Sequence, residues 1–156
     1  MPELAVFDCS LFLQAVTSDR GPAFKLFNLV ERGEIVLLLS PAILAEVEDV
    51  LSRPLLRAKF PVLVPERVDP FLQKVKRIAV IAPKPPNVFT LPRDRDDEPY
   101  TDLAIAARAK YLVTWNDRHL TYLMRRNTPE GRDFCDRFPF VRILSPTDLL
   151  SELARP

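Results

Sequence analysis

Four acidic positions, far apart in the chain, each close an apolar run or lie at the start or inside of a helix. Asp8 follows Leu4-Ala5-Val6-Phe7, Glu46 ends Ala42-Ile43-Leu44-Ala45, Asp97 lies in the charged run 93–98, and Asp117 follows Leu112-Val113-Thr114-Trp115-Asn116. In an open parallel α/β sheet, the carboxyl ends of strands and the starts of the following helices converge on one crevice. Carboxylates delivered there from different parts of the chain repel one another unless a divalent cation neutralises them. The donors are hard oxygens, with no cysteine or histidine cluster, which selects Mg²⁺ or Mn²⁺ over zinc. The chemistry expected of such a set is metal-assisted attack on a phosphodiester.

Each position is weighed against an ordinary structural use. Asp8 directly follows a buried strand, where a charge cannot turn into the core without large cost. Glu46 lies at the edge of the stripe formed by Ile43, Val47 and Val50, whereas Glu48 reads as plain surface. Asp94 and Asp96 fit compensation of a helix N-terminal dipole. Asp102 stands among Leu103, Ala104, Ile105 and Ala106, so Asp97 and Asp102 are rival candidates for the third carboxylate. Cys9 has no partner base and reads as a small buried residue. His119, the sole histidine, reads as a helix-surface or packing residue, with a general-base role as the alternative.

The elements that must position these groups follow from apolar runs and helix punctuation. Strands are expected over residues 4–7, 35–39, 78–81, 111–114 and 141–144, and helices over 11–16, 23–32, 42–51, 55–60, from 65 onward, 100–109, 117–126 and 147–153. Ser40-Pro41 and Ser145-Pro146 are cap-then-proline starts, and Pro22 and Pro65 fit the first helical turn. Gly33 stops the second helix. Residues 82–86 must be extended, and 127–139 reads as a loop. Alternating strands and helices imply a parallel sheet covered on both faces.

Val6-Phe7-Asp8-Cys9-Ser10, Ser40-Pro41-Ala42-Ile43-Leu44-Ala45-Glu46, Asp97-Glu98-Pro99-Tyr100 and Leu112-Val113-Thr114-Trp115-Asn116 resemble the PIN-domain nucleases. The similarity is nearest to the branch of toxin components of toxin–antitoxin systems and runs from residue 4 to residue 150. It implies a three-layer α/β/α sandwich around a mainly parallel sheet. It also implies one or two Mg²⁺ or Mn²⁺ ions among Asp8, Glu46 and Asp97 or Asp102, with Asn116 or Asp117 closing the ring. Relatives carry an acid where this chain has Asn116, so the fourth ligand here has less charge. Ser10 and Thr114 are the implied supporting residues. The implied activity is endonucleolytic hydrolysis of RNA, with a cognate antitoxin and a homodimer as expected partners.

Two other enzyme classes fail on sequence. A phosphatase of the haloacid-dehalogenase type needs a second Asp two residues after its nucleophile, where this chain has Ser10. A receiver-type phospho-acceptor needs a lysine after a late strand, and none stands there. A PIN-like scaffold that binds RNA or protein without cleaving is the remaining alternative, kept open by Asn116.

The chain has 156 residues, 47% apolar and 28% charged, which fits one globular domain over 1–156. Sixteen prolines against three glycines predict many helices that begin at proline. Two cysteines make neither a disulfide framework nor a metal spacing. No stretch matches a membrane span or a secretory signal, so the expected location is the cytoplasm. A net charge of +1 decides nothing about nucleic acid. The stretch holding Arg118, Arg125, Arg126, Arg132 and Arg137 is the candidate phosphate-binding surface.

Overall fold

A computed structural model describes residues 2–155 of the chain. The apolar runs form five strands: β1 (Glu3–Phe7), β2 (Ile35–Leu39), β3 (Val80–Ile81), β4 (Tyr111–Val113) and β5 (Arg142–Leu144). They make one parallel sheet in the order β3-β2-β1-β4-β5. Between and after the strands come α1 (Cys9–Thr17), α2 (Pro22–Glu31), α3 (Pro41–Ser52), α4 (Pro54–Lys59), α5 (Pro65–Ile78), α6 (Glu98–Ala106), α7 (Pro129–Arg137) and α8 (Pro146–Leu153). Helices on both faces give the three-layer α/β/α sandwich.

The order of the strands places the site. From β1 the chain builds outward through β2 to β3, then returns to build β4 and β5 on the other side. Loops leaving β1 and β4 therefore diverge at their carboxyl ends and open a crevice between them. Phe7 is in register with Val113, so the next residues, Asp8 and Thr114, meet side by side at its floor. The Asp8 amide donates to Val113 O at 3.0 Å and the Thr114 amide to Leu144 O at 3.0 Å, which fixes both backbones.

The strands are held from both faces by aromatic clusters. Phe7 and Phe12 meet Phe27 edge-on at 5.3 and 5.2 Å between ring centres, and Phe89 meets Phe134 at 5.2 Å. Proline stands in the first turn of α2 through α8. Its missing N–H is no loss there, and its fixed φ suits the helix. The Ser40 and Ser145 hydroxyls cap α3 and α8 as expected, accepting from Ile43 N and Asp148 N. No helix is long and apolar enough to cross a membrane.

Four boundaries depart from the sequence reading. Ile78 closes α5 instead of opening a strand. The helix expected over 100–109 runs from Glu98 to Ala106, because Arg108 takes a left-handed conformation (φ 51°) and Ala109 N bonds back to Ala104 O, ending the helix without a glycine. Residues 117–126 form only a 3₁₀ turn at Thr121–Met124. The Asn116 and Asp117 side chains bond His119 N and the Thr121 hydroxyl, and such local bonds compete with helix. Residues 127–139, expected as a loop, contain α7, whose Thr128 hydroxyl accepts from Gly131 N at 3.0 Å.

Gly131 sits where α7 crosses the preceding turn. A Cβ there would stand 2.1 Å from Arg125 O, a backbone atom that cannot swing aside. Gly131→Ala is expected to destabilise by about 1–3 kcal/mol through overpacking, even though alanine is the better helix former. Thermal unfolding followed by circular dichroism measures it, and an unchanged or raised midpoint would contradict this account of the contact.

Candidate active site

Asp8 is the N-cap of α1 and is only 6% exposed. Its Oδ1 accepts from the Ser10 amide at 3.0 Å and from the Ser10 hydroxyl, while Oδ2 accepts from the Thr114 hydroxyl. Thr114 Oγ1 in turn accepts from Asn116 N at 2.9 Å. A carboxylate so tethered has one orientation and keeps lone pairs for a further partner. Burial pushes its carboxyl above the ordinary range, against the lowering effect of those hydrogen bonds.

Glu46 and Asp97 complete a group of three. Glu46 is half-buried on α3. Burial raises its carboxyl most, opposed by Tyr100 and Arg53 and reinforced by Asp8 and Asp96. Asp97 ends a 3₁₀ turn ahead of α6, and its carboxyl is pushed up to about 7 by burial, then by Asp94, Asp8, Glu46 and Asp96. Burial thus raises all three carboxyls, and the charge of Asp8 raises Glu46 and Asp97 further. Cys9 lies beside them, its thiol pushed up to about 12 by burial and then by Glu46 and Asp8, so it stays protonated and is no nucleophile.

One buried atom tests whether this group fits a divalent cation. Tyr100 is fully buried on α6 with its hydroxyl beside Glu46, near enough to lower the Glu46 proton affinity by hydrogen bonding though outside strict hydrogen-bond geometry. Burial, and then the negative groups around it, drive its proton loss far above neutral pH, so it keeps its proton. Carboxylates gathered with raised proton affinities beside a buried hydroxyl fit a hard cation, whose charge would offset them.

Asn116 and His119 extend the group outward. Asn116 Nδ2 donates to Asp97 Oδ2 at 3.2 Å, and Asn116 Oδ1 accepts from His119 N at 3.0 Å. The amide oxygen offered by sequence as a ligand is thus engaged with the backbone, and the side chain meets Asp97 as a donor. Asp94, Asp97 and His119 each carry a potential ligand atom within 4.8 Å of the others, with His119 Nδ1 3.2 Å from Asp94 Oδ2. From sequence alone Asp94 fits the helix dipole, His119 fits a surface or packing residue with a general-base role as the alternative, and Tyr100 has no sign of a site role.

Two candidates lie elsewhere. The Asp102 oxygens accept from Asn87 Nδ2 at 3.0 and 3.2 Å, beside Glu98, which itself accepts from Leu91 N at 2.8 Å. This pair of acids fastens the extended segment before α6, and the groups acting on the Asp102 carboxyl are Asn87, Glu98 and Val88. Asp117 is exposed and bonded to Thr121 and Arg125, which hold its carboxyl below the ordinary range.

The arginine stretch is less free than it looked. Arg125 pairs with Asp117, Arg126 with Asp136, and Arg137 with Asp133, while Arg132 donates to Arg126 O. Arg118 is exposed, and among the described residues no ion pair engages it.

The comparisons agree with this architecture. The sequence family described as PIN domain matches residues 5–118, well over half the chain. The structure is similar to that of PAE2754 from Pyrobaculum aerophilum, with a TM-score of 0.59 and 18% identity over 98% of this chain and 90% of that one. It is also similar to VapBC2 from Rickettsia felis, solved bound to a DNA fragment from their promoter, with a TM-score of 0.53 and 14% identity over 91% of this chain and 98% of that one. No curated protein matches the chain.

Removing one repelling carboxylate separates the two rival aspartates. Asp97→Asn is expected to raise the melting temperature of the metal-free protein and to lose most of the further rise that Mn²⁺ produces. Asp102→Ala should lower the melting temperature, because it strands the Asn87 amide, and should keep the Mn²⁺ response. The reverse pattern would make Asp102 the ligand.

Proposed function

The chain belongs to the PIN domain family, and on that premise we propose that it is a Mg²⁺- or Mn²⁺-dependent endoribonuclease, the toxin of a toxin–antitoxin pair. The observation that carries this reading is the gathering of Asp8, Glu46 and Asp97, from three separate elements, with raised proton affinities. A divalent cation there would supply an acidified water and offset charge building on the phosphate. Asp8, Glu46 and Asp97 would hold it. The Ser10 and Thr114 hydroxyls set the direction of the Asp8 oxygens, and Asn116 Nδ2 holds one oxygen of Asp97. Exposed Arg118, two residues after Asn116 and next to His119, is the available cation for substrate phosphate. Arg125 and Arg126 are already paired, and their part in RNA contact is smaller.

The toxin reading draws support from the sequence segments shared with that branch. It is also supported by the fold shared with VapBC2, which was solved on promoter DNA. An antitoxin that closes the acidic crevice and a homodimer belong to this reading. A second reading has its own observation. Asn116 presents its amide donor to Asp97 where relatives place a carboxylate, which would suit a scaffold that binds RNA without cutting it.

Asp8→Asn tests both. Asparagine caps a helix as well as aspartate does, so the fold should persist. Cleavage of single-stranded RNA in Mn²⁺ should fall by at least about 100-fold. Equal cleavage by the two proteins would overturn the assignment, and binding without cleavage by wild type would favour the scaffold.

Tyr100→Phe deletes only the hydroxyl beside Glu46. The metal-free protein should lose no more than about 1 kcal/mol, the net worth of one weak hydrogen bond. Calorimetric affinity for Mn²⁺ should weaken several-fold. Undiminished affinity would detach the hydroxyl from the metal site.

A further inference from the structure

Trp115 stands between the two residues that grip the acidic group. Thr114 donates to Asp8 and Asn116 donates to Asp97, while the indole between them is 41% exposed. Among the large hydrophobic side chains exposed in the described residues it is the one aromatic. Leaving an indole in water forgoes a large burial gain, yet this one is not loose. Its Nε1 donates to Gln14 Oε1 at 3.2 Å, and the same oxygen accepts from Ala23 N at 3.3 Å. Gln14 on α1, bound to the start of α2, therefore fixes the plane of the ring.

The ring lines a cleft of about 700 Å³ beyond the carboxyl ends of β4 and β5. Arg125, Arg142 and Arg155 border the cleft against Asp117, Asp148 and Glu152, and the pairs Arg125–Asp117 and Arg142–Glu152 are closed. With charges matched, the cleft has little excess pull on phosphate. What it offers is a rigid π face with guanidinium groups beside it. A flat, uncharged base suits that surface better than a phosphate does, and stacking on an aromatic ring is indifferent to base identity.

We propose that Trp115 is the stacking platform for one base of single-stranded RNA, adjoining the phosphate held at the acidic group. This rests on the ribonuclease reading and says where its substrate lies. A duplex keeps its bases stacked internally and cannot supply one, so the site selects unpaired strands.

Trp115 is the sole tryptophan, so intrinsic fluorescence reads this site and no other. The Asp8→Asn protein, which should not cut, is titrated with a short mixed-sequence oligoribonucleotide in Mn²⁺, single-stranded or as a blunt duplex. Single strands should quench the emission saturably, and the duplex should not. Anisotropy of a labelled strand should show affinity weakened about tenfold by adding Trp115→Ala, with most of it restored by Trp115→Phe. Saturable binding without quenching, or equal affinity in the alanine variant, would overturn the proposal. An indole that responds to no oligonucleotide would overturn it too and leave the ring to a protein contact. Cleavage by wild type without quenching would sink the platform and spare the nuclease. Quenching without wild-type cleavage would do the opposite.

Discussion

Repulsion among Asp8, Glu46 and Asp97 is the constraint around which the rest is arranged. Burial makes all three carboxyls harder to ionise, and the charge of Asp8 adds to that at Glu46 and Asp97. The fold opposes that repulsion locally with two hydroxyls on Asp8 and an amide on Asp97. It opposes it globally with a sheet whose central pair, β1 and β4, is bonded up to the last residue before the acids. Stability is given up here so that charge is in place before a substrate arrives, which is the meaning of preorganisation.

The same arrangement explains why neighbouring acids do different work. Asp94, Asp96, Asp97, Glu98 and Asp102 crowd one stretch, but a 3₁₀ turn followed by a helix points them in separate directions. Asp97 faces Asp8 and Glu46. Glu98 and Asp102 face Asn87 and Leu91 and hold the extended segment down. Asp94 faces His119. Similar side chains a few residues apart thus serve charge concentration and backbone anchoring.

Much of the fold is legible in the sequence because its signals are local. Val6-Phe7 before Asp8, the five apolar residues of β2 and the Ser-Pro starts of α3 and α8 each identify an element without tertiary information. α7 was missed although Thr128-Pro129 repeats the same cap, because its remaining residues are mostly charged and only Gly131 and Phe134 are buried. The stretch 117–126 misled in the opposite way. Leu120, Leu123 and Met124 fit a helical stripe, but Asn116 and Asp117 compete for its first amides. Sequence names Asp8, Glu46 and Asp97 as candidates and ranks Asp97 only narrowly over Asp102. The partner that occupies Asp102 is Asn87, fifteen positions away. Tyr100 gives no signal, since its approach to Glu46 exists only once α3 and α6 are packed together.

The bond from Thr114 to Asp8 spans 106 positions. Contacts of such long separation are late events in folding, because the intervening chain must lose its freedom first. During synthesis, β1, β2 and β3 can assemble while β4 is still unmade, and Asp8 then sits at an open sheet edge without its threonine. Asp97 has no fixed place until α6 is followed by β4. A growing chain therefore cannot tether the Asp8 carboxylate from its far side until the first 114 of its 156 residues have been made.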